Sequence, residues 1–242
     1  MQTTSSPIST RRSRRRNPAP LVIWLVISAG LIALAFLSQA ADGTEEDALY
    51  DVDLAINGLF FYGIVIGASL LLALAYPRPL RALGFRRFRL RWLWVSFGVV
   101  VLTIVVALVL EPILHGGEEQ GLAPDRWEPE HATAFALNSA LVVLLGPFAE
   151  ELFFRGLGVR VLAVFGGLAA VLVSGIVFGL VHGILGAFPP LALFGIGLAW
   201  VRLRSASVWP SFVAHAAYNG LGLLVLVVDW TTDTPALLSP VS

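Results

Sequence analysis

The sequence predicts an all-α, polytopic transmembrane helical bundle of about seven spans, with six to eight as the range, built around a polar intramembrane cavity. Three observations predict it. The 242-residue chain is 57% hydrophobic and 13% charged, outside the balance of a water-soluble domain. Its apolar runs are long enough to cross a bilayer and are separated by short polar stretches, which favours one helical bundle. The 16 basic and 16 acidic residues are segregated, with arginines in some loops and carboxylates in others, and such segregation sets topology.

Every basic residue is arginine, a usage that suits a GC-rich bacterial genome and a bacterial plasma membrane. With no cysteine, disulfides, thiol nucleophiles and cysteine-based metal centres are excluded. The chain shows no internal repeat, phosphate-binding glycine loop or nucleic-acid-binding pattern, so no nucleic-acid partner is expected.

Residues 1–20 read as a disordered cytoplasmic tail with Arg11, Arg12, Arg14, Arg15 and Arg16 before the first apolar run. Three helices and their loops fill residues 21–132. The first, about Leu21 to Leu37, precedes a signal-cleavage-like Ser38-Gln39-Ala40, but its length favours an uncleaved anchor. The loop from Asp42 to Asp53 is acidic and reads as external. A second span runs from about Leu54 to Tyr76. Arg78, Arg81, Arg86, Arg87, Arg89 and Arg91 form the strongest basic loop, cytoplasmic by the positive-inside rule and able to meet anionic headgroups. Span three, about Trp92 to Leu110, leads to an acidic external stretch where His115 and His131 read as solvated surface.

Residues 133–230 carry the chemistry. Span four begins near Thr133, with Gly146-Pro147 expected to break it before Glu150-Glu151-Leu152-Phe153-Phe154-Arg155. Gly166-Gly167 reads as a turn, Leu168 to Ala187 as a fifth helix ended by Pro189-Pro190, Leu191 to Val201 as a sixth and Val208 to Val228 as a seventh. Residues 231–242 read as a flexible tail.

An ionisable group within a span costs a few kcal/mol by insertion scales, so it needs a partner or a task. Glu150 and Glu151 are the carboxylates well inside an apolar span, and His182 and His215 are the histidines so placed. Glu151 and Arg155, four apart with the acid N-terminal, form a same-face ion pair. Glu150 points about 100° away from that pair and is free to act as a base. A hairpin about Gly166 brings Glu150 level with His182, because both are equidistant from it. Glu150 from Arg160, and His215 from Arg204, lie roughly 15–17 Å along their helices. His215 and Asn219 share a helix face, as do Phe178 and His182, with Phe178 packing at the border of the site. A carboxylate and imidazole in a dry cavity suit proton transfer: Glu150, assisted by His182, activates water, and His215 with Asn219 donates to the developing oxyanion.

These residues, in the patterns Glu150-Glu151-x-x-x-Arg155, Phe178-x-x-x-His182 and His215-x-x-x-Asn219, resemble the three motifs of the CPBP family, which contains CAAX-type prenyl proteases and bacteriocin-processing or immunity-related proteins. The resemblance covers about residues 133–228. It implies an intramembrane endopeptidase in which Glu150 activates water, His182 assists, and His215 and Asn219 form the oxyanion site. Its substrate would be a membrane-associated or lipidated protein or peptide.

Two other readings remain open. Two His and one carboxylate make a catalytic zinc set, so His182, His215 and Glu150 are the ligand candidates if Zn is used, although no His-Glu-x-x-His signature is present. The same polar cluster would also serve a non-catalytic immunity or scaffold protein, or a proton-coupled carrier, as helix-packing glue or a proton relay.

Overall fold

The computed structural model describes residues 17–41, 47–115 and 126–232. The arginines of the N-terminal tail, the loop carboxylates Asp42, Glu45, Glu46, Glu118, Glu119 and Asp125, and the C-terminal tail from 233 onward lie outside the described residues.

The described residues form eight helices and no strand: α1 (Ala19–Ala41), α2 (Val52–Ala73), the short α3 (Pro79–Leu83), α4 (Arg91–Leu114), the long α5 (Pro129–Phe165), α6 (Gly167–Leu180), α7 (Phe188–Ser205) and α8 (Trp209–Thr232). Five of them, α1, α2, α4, α5 and α8, are long and apolar enough to cross a membrane. Of the expected seven spans, the two shortfalls are α6 and α7. The 14 residues of α6 make a helix of about 21 Å, less than the ~30 Å of hydrocarbon.

One end of the bundle gathers the arginines. There the Val208 amide bonds Gly84 O, Arg202 Nη2 bonds Ala82 O, and Gly158 lies against the Trp24 indole. At the other end, Tyr50 OH donates to Arg126 O and Asn138 Nδ2 donates to Leu49 O and Asp51 O, tying the α1–α2 loop to α5. His131 is exposed, as expected, and also joins this second knot. It lies 3.0 Å from Glu128 and stacks on Tyr50 at 5.0 Å, while Arg126 and His131 together hold the exposed Glu128 carboxyl below the usual range.

Two boundaries differ from expectation. The fifth helix ends at Leu180 rather than Ala187, because Gly183 turns the chain at φ +74, where a Cβ would stand 2.8 Å from Ala35 O. Pro189-Pro190 does not end that helix but opens α7 in its first turn, where a proline's missing N–H leaves no bond unmade.

The expected break at Gly146-Pro147 is also absent. Leu141–Leu145 and Glu151–Gly158 are π-helical, and α5 runs through both. The wider π turn accommodates a proline, which has no N–H to donate. Side chains from other helices then serve α5 carbonyls: Trp24 Nε1 bonds Phe153 O at 3.1 Å and Ser174 Oγ bonds Phe154 O at 2.9 Å.

Helices α6 and α7 touch backbone to backbone. A Cβ on Gly175 would stand 2.3 Å from the Ile196 amide nitrogen, and one on Gly195 would stand 2.6 Å from Gly175 O. Small residues are the means by which membrane helices approach this closely. Gly175→Ala is therefore expected to cost about 1–3 kcal/mol through overpacking, read as a lower melting temperature of the purified protein. Gly63→Ala, with nothing within 4 Å of its Cβ, is the control and should be neutral or slightly stabilising.

Candidate active site

Glu151 opens the second π-helical stretch of α5, and Glu150 is the last residue of the α-helical turn before it. Glu151 is fully buried, with Arg155 Nη1 at 3.0 Å from its Oε1 and the guanidinium itself fully buried. The pair is held by charge more than by an aligned hydrogen bond, since Arg155 Nη1 and Nε and Glu151 Oε2 all lack a hydrogen-bond partner among the described residues. Phe178 lies over the guanidinium at 4.1 Å from its ring centre to Cζ, and Nη2 reaches Gly195 O at 3.4 Å. The predicted Glu151–Arg155 pair is therefore present. Phe178 does more than border the site, because it also covers this buried charge.

Glu150, one residue earlier, has a side chain 23% exposed, in contrast to the fully buried Glu151. Its Oε2 is 3.7 Å from His215 Nε2. The other nitrogen of the same imidazole, Nδ1, is 3.1 Å from Glu151 Oε1. His215 thus lies between the two adjacent carboxylates, and Glu151 is the fixed point that sets the ring's orientation. A purely structural Glu151 was the simpler expectation; an i,i+4 spacing shows the Arg155 contact but carries no signal for a histidine 64 positions away.

His182 lies in the turn just beyond α6. Its Nδ1 is 2.8 Å from Phe178 O. A carbonyl only accepts, so Nδ1 carries the proton and Nε2 of the neutral ring is left as an acceptor. Phe178 stands between the two imidazoles, at 4.9 Å from His182 and 5.6 Å from His215, edge-on to both.

Asn219 is committed on one side. Its Nδ2 donates to Val142 O at 2.8 Å. That carbonyl needs an outside donor because the Gly146 amide reaches back five residues to Leu141 O. In the same register Val142 O would be served by residue 147, a proline, which has no N–H. Asn219 supplies the missing bond and keeps a second Nδ2 hydrogen. Tyr62 on α2, a residue the sequence motifs do not mark, comes close as well: a Cβ on Gly146 would lie 3.0 Å from its hydroxyl oxygen.

A groove of about 600 Å³ lies beside this cluster, with Leu59, Leu141, Leu144, Leu145, Phe148 and Phe212 in its walls. Phe148 and Phe212 are two and three residues from Glu150 and His215. The walls of this groove come from apolar faces of α2, α5 and α8. Of the zinc candidates, Glu150 and His215 approach to 3.7 Å, and among the described residues no three His, Asp or Glu groups stand at metal-binding spacing. His182 has Nδ1 engaged by Phe178 O, and His215 has a carboxylate at each nitrogen.

Fold and site together define a polytopic helical membrane protein that holds two carboxylates, two imidazoles and a carboxamide inside its apolar bundle. Residues 132–221 match the family model of the type II CAAX prenyl endopeptidases, Rce1-like, and this stretch contains Glu150, Glu151, Arg155, Phe178, His182, His215 and Asn219. No curated protein and no solved structure matches the chain.

Proposed function

We propose that the chain is an intramembrane endopeptidase that hydrolyses a peptide bond of a membrane-associated or lipidated protein or peptide with a Glu150-activated water. The observation that carries this reading is the division of labour between two adjacent carboxylates. Glu150 is partly exposed and lies 3.7 Å from His215 Nε2, whereas Glu151 is sealed against Arg155. Glu150 takes one proton from water as the oxygen attacks the carbonyl carbon, and the same proton passes to the departing amine when the C–N bond breaks. The acceptor Nε2 of His182 assists by orienting that water. His215 Nε2 faces the reacting carbonyl as the oxyanion donor, with Nδ1 held by Glu151. The apolar groove offers room for the hydrophobic part of a substrate arriving from the bilayer.

The test is cleavage of a membrane-anchored reporter peptide by the purified chain before and after exhaustive chelation. Activity is expected to survive chelation, since every step above uses protein groups. Loss on chelation and recovery with Zn²⁺ would favour the zinc reading, while a reporter panel and whole-membrane proteomics that show no cut would favour the scaffold. Asn219→Ala should act twice. It leaves Val142 O without a donor, costing about 1–3 kcal/mol of stability. It also removes an oxyanion donor, for a drop of roughly 10²–10³ in kcat. A melt combined with initial rates separates the two, and unchanged kcat in the folded variant would remove Asn219 from the oxyanion site.

A further inference from the structure

Arg202, in the last turn of α7, is 8% exposed, yet no ion pair joins it to a carboxylate among the described residues. Its Nη2 reaches the Ala82 carbonyl at 3.1 Å, and its Nε has no hydrogen-bond partner. The loop after α3 lies flat on the guanidinium. Gly84, at φ +92, comes so close that a Cβ there would stand 2.5 Å from Arg202 Nε. The loop is pinned by the Val208 amide on Gly84 O and by Ser207 Oγ on Arg86 O. On its other side Leu83 O lies 3.0 Å from where a Gly156 Cβ would be, one helical turn before Arg160. The loop thereby runs between the Arg202 turn of α7 and the Gly156 turn of α5, with Arg86 within it and Arg160 one turn further along α5. The charges of Arg86 and Arg160 both bear on Arg202, and the carboxylate that offsets them, Glu151, is already engaged by Arg155 and His215.

A buried cation that is unpaired and flanked by two others is costly, and such groups are ordinarily compensated by an anion. Arg86 and Arg160 are exposed, so a ligand can reach them from outside. The Arg160 guanidinium is held 4.9 Å above the Tyr76 ring, which fixes its position beside the loop. The whole group lies at the arginine-rich end of the bundle, where α5 and α7 end. Guanidinium groups in a fixed arrangement match the several oxygens of a phosphate.

We infer that Arg86, Arg160 and Arg202 form a phosphate-binding site at this end of the bundle, occupied by the phosphate of an anionic lipid headgroup or by a soluble phosphate. The site is separate from the glutamates and histidines and does not depend on the proteolytic reading. Positive-inside topology needs only arginines on one face. It does not need one of them buried without a partner under a glycine loop.

The test is thermal unfolding of the full chain in phosphatidylcholine nanodiscs with and without phosphatidylglycerol, at fixed ionic strength. The wild type should melt about 3 °C or more higher with phosphatidylglycerol, as expected for a ligand bound to the native state. In Arg86→Gln/Arg160→Gln that gain should vanish, whereas the charge-matched Arg87→Gln/Arg89→Gln, exposed in the same loop, should keep it. Arg202→Gln tests the buried member, and the exposed pair decides the question if that variant does not fold. Inorganic phosphate against chloride in phosphatidylcholine discs identifies the source: the same gain means a soluble phosphate, and a gain with phosphatidylglycerol alone means a headgroup. No gain from either ligand, a gain retained by Arg86→Gln/Arg160→Gln, or an equal loss in Arg87→Gln/Arg89→Gln would overturn the site.

Discussion

Glu150→Gln is expected to lower kcat for reporter cleavage by roughly 10²–10⁴, the range for loss of a positioned general base, while the protein folds and melts much as the wild type does. The substitution preserves shape and hydrogen-bonding reach but removes the ability to take a proton. Its structural cost is small because the side chain is partly exposed and its nearest charged partner, His215 Nε2, stands at 3.7 Å. KM should change little, since the carboxylate acts on water rather than on the substrate's apolar part. Cleavage at the wild-type rate would show that Glu150 is not the base. A large fall in melting temperature would instead give Glu150 the structural role assigned to its neighbour.

Glu151→Gln should do the reverse and give the largest stability loss. Arg155 is fully buried, and the Glu151 carboxylate 3.0 Å away is the group that compensates it. Removing one partner of a buried pair leaves an isolated charge in an apolar core, a loss of about 3–5 kcal/mol. The effect of Arg155→Met is similar for the mirror reason. The double variant Glu151→Gln/Arg155→Met should recover much of the melting temperature, because neither charge is left behind, and a double-mutant cycle measures the coupling. It should not recover full activity, since His215 Nδ1 loses the carboxylate that orients it. Additive losses in the cycle would mean that the two side chains do not act as a pair.

These two predictions use residues adjacent in the chain, and their different fates were only partly legible in the sequence. The membrane class followed from composition, because the free energy of placing a segment in lipid is nearly a sum over its residues. The Glu151–Arg155 pair and the common face of His215 and Asn219 followed from helical spacing, since side chains four apart are neighbours on any α-helix. In both cases the deciding physics is local.

The tertiary structure decided the rest. That α6 stops at Leu180 depends on Gly183 passing under Ala35 of α1, and that Pro189-Pro190 starts a helix depends on where the chain re-enters the bundle. Asn219 looks from its motif like a free donor. It is half engaged because Pro147 and a π turn leave Val142 O open 77 positions away. Likewise nothing near Glu151 announces His215, and nothing near Arg202 announces the Gly84 loop that seals it. By itself the sequence determined that the chain is a helical membrane protein and which polar residues had to find partners. Which partner each one found was decided only by helix packing, because a buried carbonyl, carboxylate or guanidinium is satisfied by whatever group the fold brings within about 3 Å, however distant in the chain.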